Sequence, residues 1–348
     1  MSRFRVLLSQ KVRPWGFGLL SAASLAMLVS GEVYDGYSRD VLINLGTSLL
    51  VVALTYAIFD PVFQEFRRSR VIEQPFFDDV RFSRNVQNAS STVRIMDTGN
   101  HILEGRQRDR FLEAIRTAAE HGVRIEILLL DPDAKATEQR AEEIRPVDVR
   151  GVIVENLRFL YCCRAGMSVA HAENLAVRTY DALPALQLHQ WDGRALISFY
   201  PVGQRASASP HLEINIDSSL GQFAESRFHE LWQHGNTTVL EDWWTTPLVF
   251  CRDGEPVAKR AVRYVRMHEA IFIDGGRIAD LLVDFGRDHI TASGSMGVRP
   301  FESDCTYSMS RLSSESEMNG VVTAEFLRKY GDGGAESTPP MLLALEPI

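Results

Sequence analysis

The chain has 348 residues, with 37 Lys and Arg against 45 Asp and Glu and a formal net charge of -8 at pH 7. That length exceeds what one core usually fills, so more than one domain is expected. The acidic balance speaks against a partner held by phosphate neutralisation, and no nucleic acid is expected. Of the four cysteines, Cys162 and Cys163 are adjacent while Cys251 and Cys305 are remote. They form no C-x-x-C pair and no disulfide framework, and read as reduced, mostly buried thiols.

Two runs near the start, WGFGLLSAASLAMLVS from Trp15 and VLINLGTSLLVVALTYAIF from Val41, carry no charge. An apolar helix of about 20 residues crosses a bilayer, so residues 1–62 are expected to form a transmembrane hairpin with spans over 15–31 and 41–59. Arg3, Arg5, Lys11 and Arg13 precede the first run and Arg67, Arg68 and Arg70 follow the second, whereas Arg39 stands alone between them against Glu32, Asp35 and Asp40. Basic residues stay on the cytoplasmic side, which predicts a multi-pass protein of the cell membrane with both termini in the cytoplasm and the lipid bilayer as a partner. Residues 63–90, with Phe63, Phe66, Phe76 and Phe77 among charges, read as a juxtamembrane connector.

The clearest α/β signal follows. TVRIMDT (Thr92 to Thr98) reads as a buried strand, Asp109 to Glu120 as an amphipathic helix, and VRIEILLLDPD (Val123 to Asp133) as a second strand parallel to the first. A helical pattern broken by Pro146 fills 134–165. Strands are expected at NLAVRTYD, RALISFY and HLEINID, with a closing helix between Leu220 and Gln233. The α/β domain is thus set at 91–244. Beyond Trp244 short alternating runs separated by Gly, Asp, Asn and Ser predict a small β-rich domain over 245–335, an antiparallel sheet or barrel. Residues 336–348, with Pro339 and Pro340, read as a tail.

The opening strand, AAEHGVRIEILLLDP, LAVRTYDALPAL, WDGRALISFYP, HLEINID and FAESRFHELW resemble, in this order, one half of a phospholipase D-like fold. The likeness is to phospholipase D-like domains of unknown function that follow DNA-binding or membrane segments in bacterial regulators. The fold class implied is α/β: two transmembrane helices, a phospholipase D-like sandwich half, then the β-rich domain. Active members of that superfamily carry His-x-Lys, four residues, then Asp, commonly followed by Gly; the His attacks phosphorus and the Lys binds phosphate oxygens. With that Asp-Gly matched to Asp192 and Gly193, Ala185 falls at the His position and Gln187 at the Lys position. No second copy of the motif exists in the chain, so the resemblance implies the fold without the chemistry, and no catalytic residue is assigned.

The nine histidines offer no metal-ligand spacing; His229 and His234 lie five apart without a carboxylate-rich partner motif, and neither a metal nor a cofactor is expected. His211, Glu213 and Asn215 alternate with Leu212, Ile214 and Ile216, which predicts a solvated strand face. In a phospholipase D-like fold that strand borders the old cleft with His189, Asp192 and Ser198, so these six residues are the ligand-binding candidates, with a nucleotide or phosphorylated molecule as the ligand to test. The leading expectation is a membrane-tethered regulatory or sensing protein that binds without cleaving. The alternatives are a divergent phosphodiesterase or phospholipase using His189 or His211, and a two-span effector of an antiphage-type signalling system. The sequence leaves a homo-oligomer open.

Overall fold

The computed structural model describes residues 21–30, 37–68, 71–99, 101–183, 186–201, 203–267, 270–285, 290–294, 305–331 and 341–348. The chain divides into two compact units, Met1–Arg70 and Val71–Ile348.

In the first unit a helix α1 (residues 21–30) meets α2 (Tyr37–Arg68). Ser24 Oγ donates to the Gly46 carbonyl at 2.7 Å, and a Cβ on Gly46 would stand 2.9 Å from Leu28 Cγ, so a glycine lets the helices close. Residues 15–20 and 31 of the first expected span lie outside the described residues. Among the described residues no helix is long and apolar enough to cross a membrane. The expected transmembrane hairpin, the bilayer partner and the multi-pass placement with cytoplasmic termini are therefore corrected, and with them the fold class, which is mixed α/β with a closed six-stranded barrel.

The second unit opens with β1 (Ile72–Gln74) and α3 (Asp79–Gln87). Asp78 caps α3 by accepting from Arg81 N at 2.9 Å, and Phe82 and Val86 are wholly buried, so 71–90 belongs to this unit rather than to a connector. Then come β2 (Thr92–Asp97), a 3-10 turn (His101–Leu103), α4 (Arg108–Glu120), β3 (Arg124–Leu130), α5 (Lys135–Glu143), α6 (Val149–Ala165), α7 (Val169–Ala172) and β4 (Leu175–Tyr180). Gly122 at φ 78° ends the α4 connection and lets β3 run parallel to β2. β5 (Leu186–Trp191), β6 (Arg194–Phe199) and β7 (His211–Asn215) follow in antiparallel register. The sheet is finished by α8 (Ser219–Trp232), β8 (Thr238–Val239) and α9 (Leu240–Trp244). The strand order is β1-β7-β6-β5-β2-β3-β4-β8. At the start of α8 a Cβ on Gly221 would stand 2.4 Å from the Ile216 carbonyl, so only glycine fits there.

A closed barrel, ordered β10-β11-β14-β13-β12-β9, is built from β9 (Thr245–Arg252), β10 (Glu255–Met267), β11 (Ala270–Asp274), β12 (Ile290–Gly294), β13 (Cys305–Arg311) and β14 (Leu342–Pro347). Asp253 and Gly254, at φ 50° and 85°, make the tight β9–β10 turn. A short helix α10 (Ala279–Phe285) precedes β12. Within the stretch expected to be β-rich, GVVTAEFLRKY lies in the helix α11 (Glu317–Tyr330), which buries Val322, Phe326 and Lys329 at helical spacing. The expected tail contains β14, which pairs with β11 and β13 and closes the barrel. Helix α11 ties barrel to sheet: Arg150 of α6 bridges Asp133 at 3.1 Å and Glu325 at 2.6 Å.

Candidate functional site

The register places one polar row across four strands. β5 runs antiparallel to both β2 and β6, and β7 antiparallel to β6, so Asp97, Gln187, Ser198 and His211 point from one face at one end of the sheet. One row inward on that face lie Ile95, His189, Leu196 and Glu213. Helix α3, the preceding Phe77 and the 3-10 turn cover the face: Phe77 packs on the rings of His101, His189 and His211 at 4.6, 4.7 and 5.2 Å between centroids.

Asp97 is the hub. Its Oδ1 accepts from Thr98 N at 2.7 Å and from the Tyr200 hydroxyl at 2.9 Å, and its Oδ2 accepts from Gln187 Nε2 at 2.8 Å. Gln187 Oε1 lies 3.2 Å from His211 Nε2. An amide oxygen only accepts, so the His211 proton sits on Nε2 and Nδ1 is bare. His101 Nδ1 lies 3.9 Å from Asp97 Oδ2, and its Nε2 lies 3.3 Å from Asp79 Oδ1, neither aligned as a hydrogen bond.

These groups titrate differently for physical reasons. Burial alone would raise the Asp97 carboxyl, but the His101 ring and the Gln187 amide hold it down at about 2. Burial opposes charge on His101, yet Asp79 and Asp97 outweigh it and lift its pKa to about 9. Burial drives His189 down to about 3. Burial and then the charge of His101 lower His211 to about 4.

A cleft of about 420 Å³, counted to its open mouth, adjoins this row. One wall is apolar, made by Ile144, Val147, Val149 and Val152; the other presents Thr98, His101, Glu104 and Arg205. Arg205 pairs with Glu104 at 2.6 Å. The buried Arg140 is spent on structure, donating to Glu143 Oε2 and to the carbonyls of Pro201 and Gln204. Thr98 Oγ1 is buried without a hydrogen-bond partner, as a group awaiting a ligand would be.

The sequence candidates scatter. His189 and His211 are sealed, each 0% exposed. Ser198 Oγ is satisfied by the Pro210 carbonyl at 3.2 Å. Asp192 lies at the far end of β5, roughly 17 Å of strand from the cleft, where it accepts from Ser90, Ser91 and Thr92. Glu213 is buried rather than solvated and accepts from Arg81, Arg194 and Gln74; helix α3 lies over the face that alternation alone had left to solvent. Asn215 turns into the chain, accepting from Asp217 N. Ala185, at the family's His position, lies outside the described residues. Sequence reasoning missed Asp97, His101 and Tyr200, which share no motif spacing; the one signal available was that TVRIMDT ends on a carboxylate.

No family model matches the chain, and no curated protein matches it. Among solved structures, the chain is similar to an archaeal chromatin protein, TrmBL2, described as showing a novel mode of DNA binding, at 14% identity and a TM-score of 0.32. That likeness covers 57% of this chain and 65% of the other, a little under two thirds. A second, Nuc from Salmonella typhimurium, is a phospholipase D family member matched at 13% identity and a TM-score of 0.29 over 47% of this chain and 92% of the other, consistent with a phospholipase D-like fold. The first of these neighbours is described as binding DNA, against the expectation of no nucleic acid, which is withdrawn. Similarity at these scores carries no conclusion about what this chain itself binds.

Proposed function

We propose that the protein is a regulatory or sensing protein whose phospholipase D-like α/β domain recognises a small amphipathic ligand in the cleft beside Asp97 without cleaving it. The observation that carries this reading is Gln187. At the position where the family's cation would stand, a neutral amide is 2% exposed and committed at both ends, to Asp97 and to His211. It has neither the charge nor the freedom to hold a reacting phosphate. The cleft itself, apolar on one side with convergent polar groups on the other, is the form a small-molecule site takes.

Bis(p-nitrophenyl) phosphate, which joins an aromatic body to an anionic diester, tests both halves of the proposal. The full chain is expected to melt at a higher temperature in its presence while releasing no nitrophenolate, and Val152→Asp is expected to abolish the shift. Release of nitrophenolate that disappears in His101→Ala would make the protein an enzyme, since His101 is the imidazole that reaches the cleft. A shift that survives Val152→Asp would move the binding elsewhere.

A further inference from the structure

We infer that Asp97, His101 and His189 form a binding site for a first-row divalent transition-metal ion of the zinc class, a site that does not depend on what the cleft holds. One ligand atom from each of these residues lies within 4.8 Å of the others. Bonds of about 2.1 Å in a tetrahedral site need donors roughly 3.4 Å apart, so a modest inward turn of the side chains completes it. Two imidazoles and one carboxylate suit zinc and its neighbours rather than calcium or magnesium.

Two independent features point to an ion rather than to ordinary packing. His189 is 0% exposed, yet neither of its ring nitrogens has a hydrogen-bond partner. A buried imidazole normally satisfies at least its N–H; here Phe77 and Phe82 close on the ring at 4.7 and 5.1 Å and offer nothing to accept it. The second feature is the outer layer. His101 turns Nδ1 toward Asp97 and Nε2 toward Asp79, 3.3 Å away, so that a small turn of the ring would give the carboxylate–histidine–metal arrangement that fixes a ligand ring. Asp97 is likewise oriented by Thr98, Tyr200 and Gln187. Two carboxylates, Asp97 and Asp79, would balance a doubly charged ion. Asp97 and His101 also line the cleft, which gives an ion a way in.

The test is titration of the full chain, stripped with a chelator, with Zn²⁺ and with Co²⁺. One equivalent is expected to bind, with a visible cobalt d–d band and an absorption-edge spectrum fitting two imidazoles. Loss of a second-shell partner costs about 10- to 100-fold in affinity, so Gln187→Leu is expected to fall in that range and His101→Ala beyond it. His229→Ala, at a half-buried position of α8 outside the row, is expected to leave metal affinity unchanged. If His101→Ala does not fold, the imidazole count in the unmodified chain decides. Absence of binding in the unmodified chain, a cobalt spectrum without two imidazoles, or full affinity in folded His101→Ala would overturn the inference.

Discussion

Two buried polar clusters sit in the second unit, and they are built on opposite rules. In the barrel-side cluster Lys329 is 6% exposed, and its ammonium has partners. It donates to the Tyr264 carbonyl at 3.0 Å and lies 3.7, 4.4 and 5.4 Å from the ring centroids of Tyr264, Trp243 and Tyr330. The Tyr330 hydroxyl closes the cage on the Trp244 carbonyl. At the end of the sheet, by contrast, both ring nitrogens of His189, those of His101 and Thr98 Oγ1 have no hydrogen-bond partner. A satisfied cluster specifies packing; one left unsatisfied in a buried place carries a cost that packing does not explain, and so marks a site.

The comparison breaks most sharply at Asp97. Asp97→Ala strands the Thr98 amide, the Tyr200 hydroxyl and the Gln187 amide, and is expected to cost about 3–5 kcal/mol, measured by urea unfolding. A loss under about 1 kcal/mol would mean the hub holds nothing.

Next comes Lys329→Ala, which opens a void under three rings and is expected to cost about 2–4 kcal/mol. Burial lowers the Lys329 pKa to about 7, against about 10.4 in an unfolded chain. Above pH about 7 the folded lysine is neutral while the unfolded one still binds a proton, so stability is expected to rise with pH across that window. Lys329→Met, which keeps the packing, is expected to remove that rise. An identical pH slope in both chains would show that the aromatic cage keeps the ammonium charged.

Much of the sheet was legible because its signals are local. Strand β2, helix α4 and strand β3 fall where the apolar runs and the helical period put them: β3 is buried on both faces from Ile125 to Leu130, and α4 buries one stripe. The candidate site was not legible, because the row Asp97, Gln187, Ser198, His211 exists only once four strands are in register, and His101 hangs from a 3-10 turn with no periodicity. The same limit explains Glu213. Alternation gave its face correctly but not that α3 would cover it. α11 departs from the β-rich expectation because GVVTAEF mixes β-branched residues into a helical stripe, and the apolar runs near the start suggest spans where, among the described residues, no helix is long and apolar enough to cross a membrane.

Smaller effects sharpen the difference between carboxylates that build and the one that serves the cleft. Glu213→Gln keeps its acceptor oxygen but loses the charge facing two arginines; about 1–2 kcal/mol of stability is expected to go, with no change in metal affinity. Asp192→Ala, at the far end of β5, is expected to cost about 1 kcal/mol through the lost turn hydrogen bonds and to leave probe binding intact. A loss of binding in either variant would merge the two ends of the sheet into one site.

The central claim, recognition in place of reaction, is tested most directly by trapping. The full chain would be mixed with a phosphodiester labelled at phosphorus, quenched under alkaline conditions that preserve phosphohistidine, and its peptides analysed for label. The prediction is unlabelled histidine alongside bound, intact diester. Label on His101, His189 or His211 would contradict it.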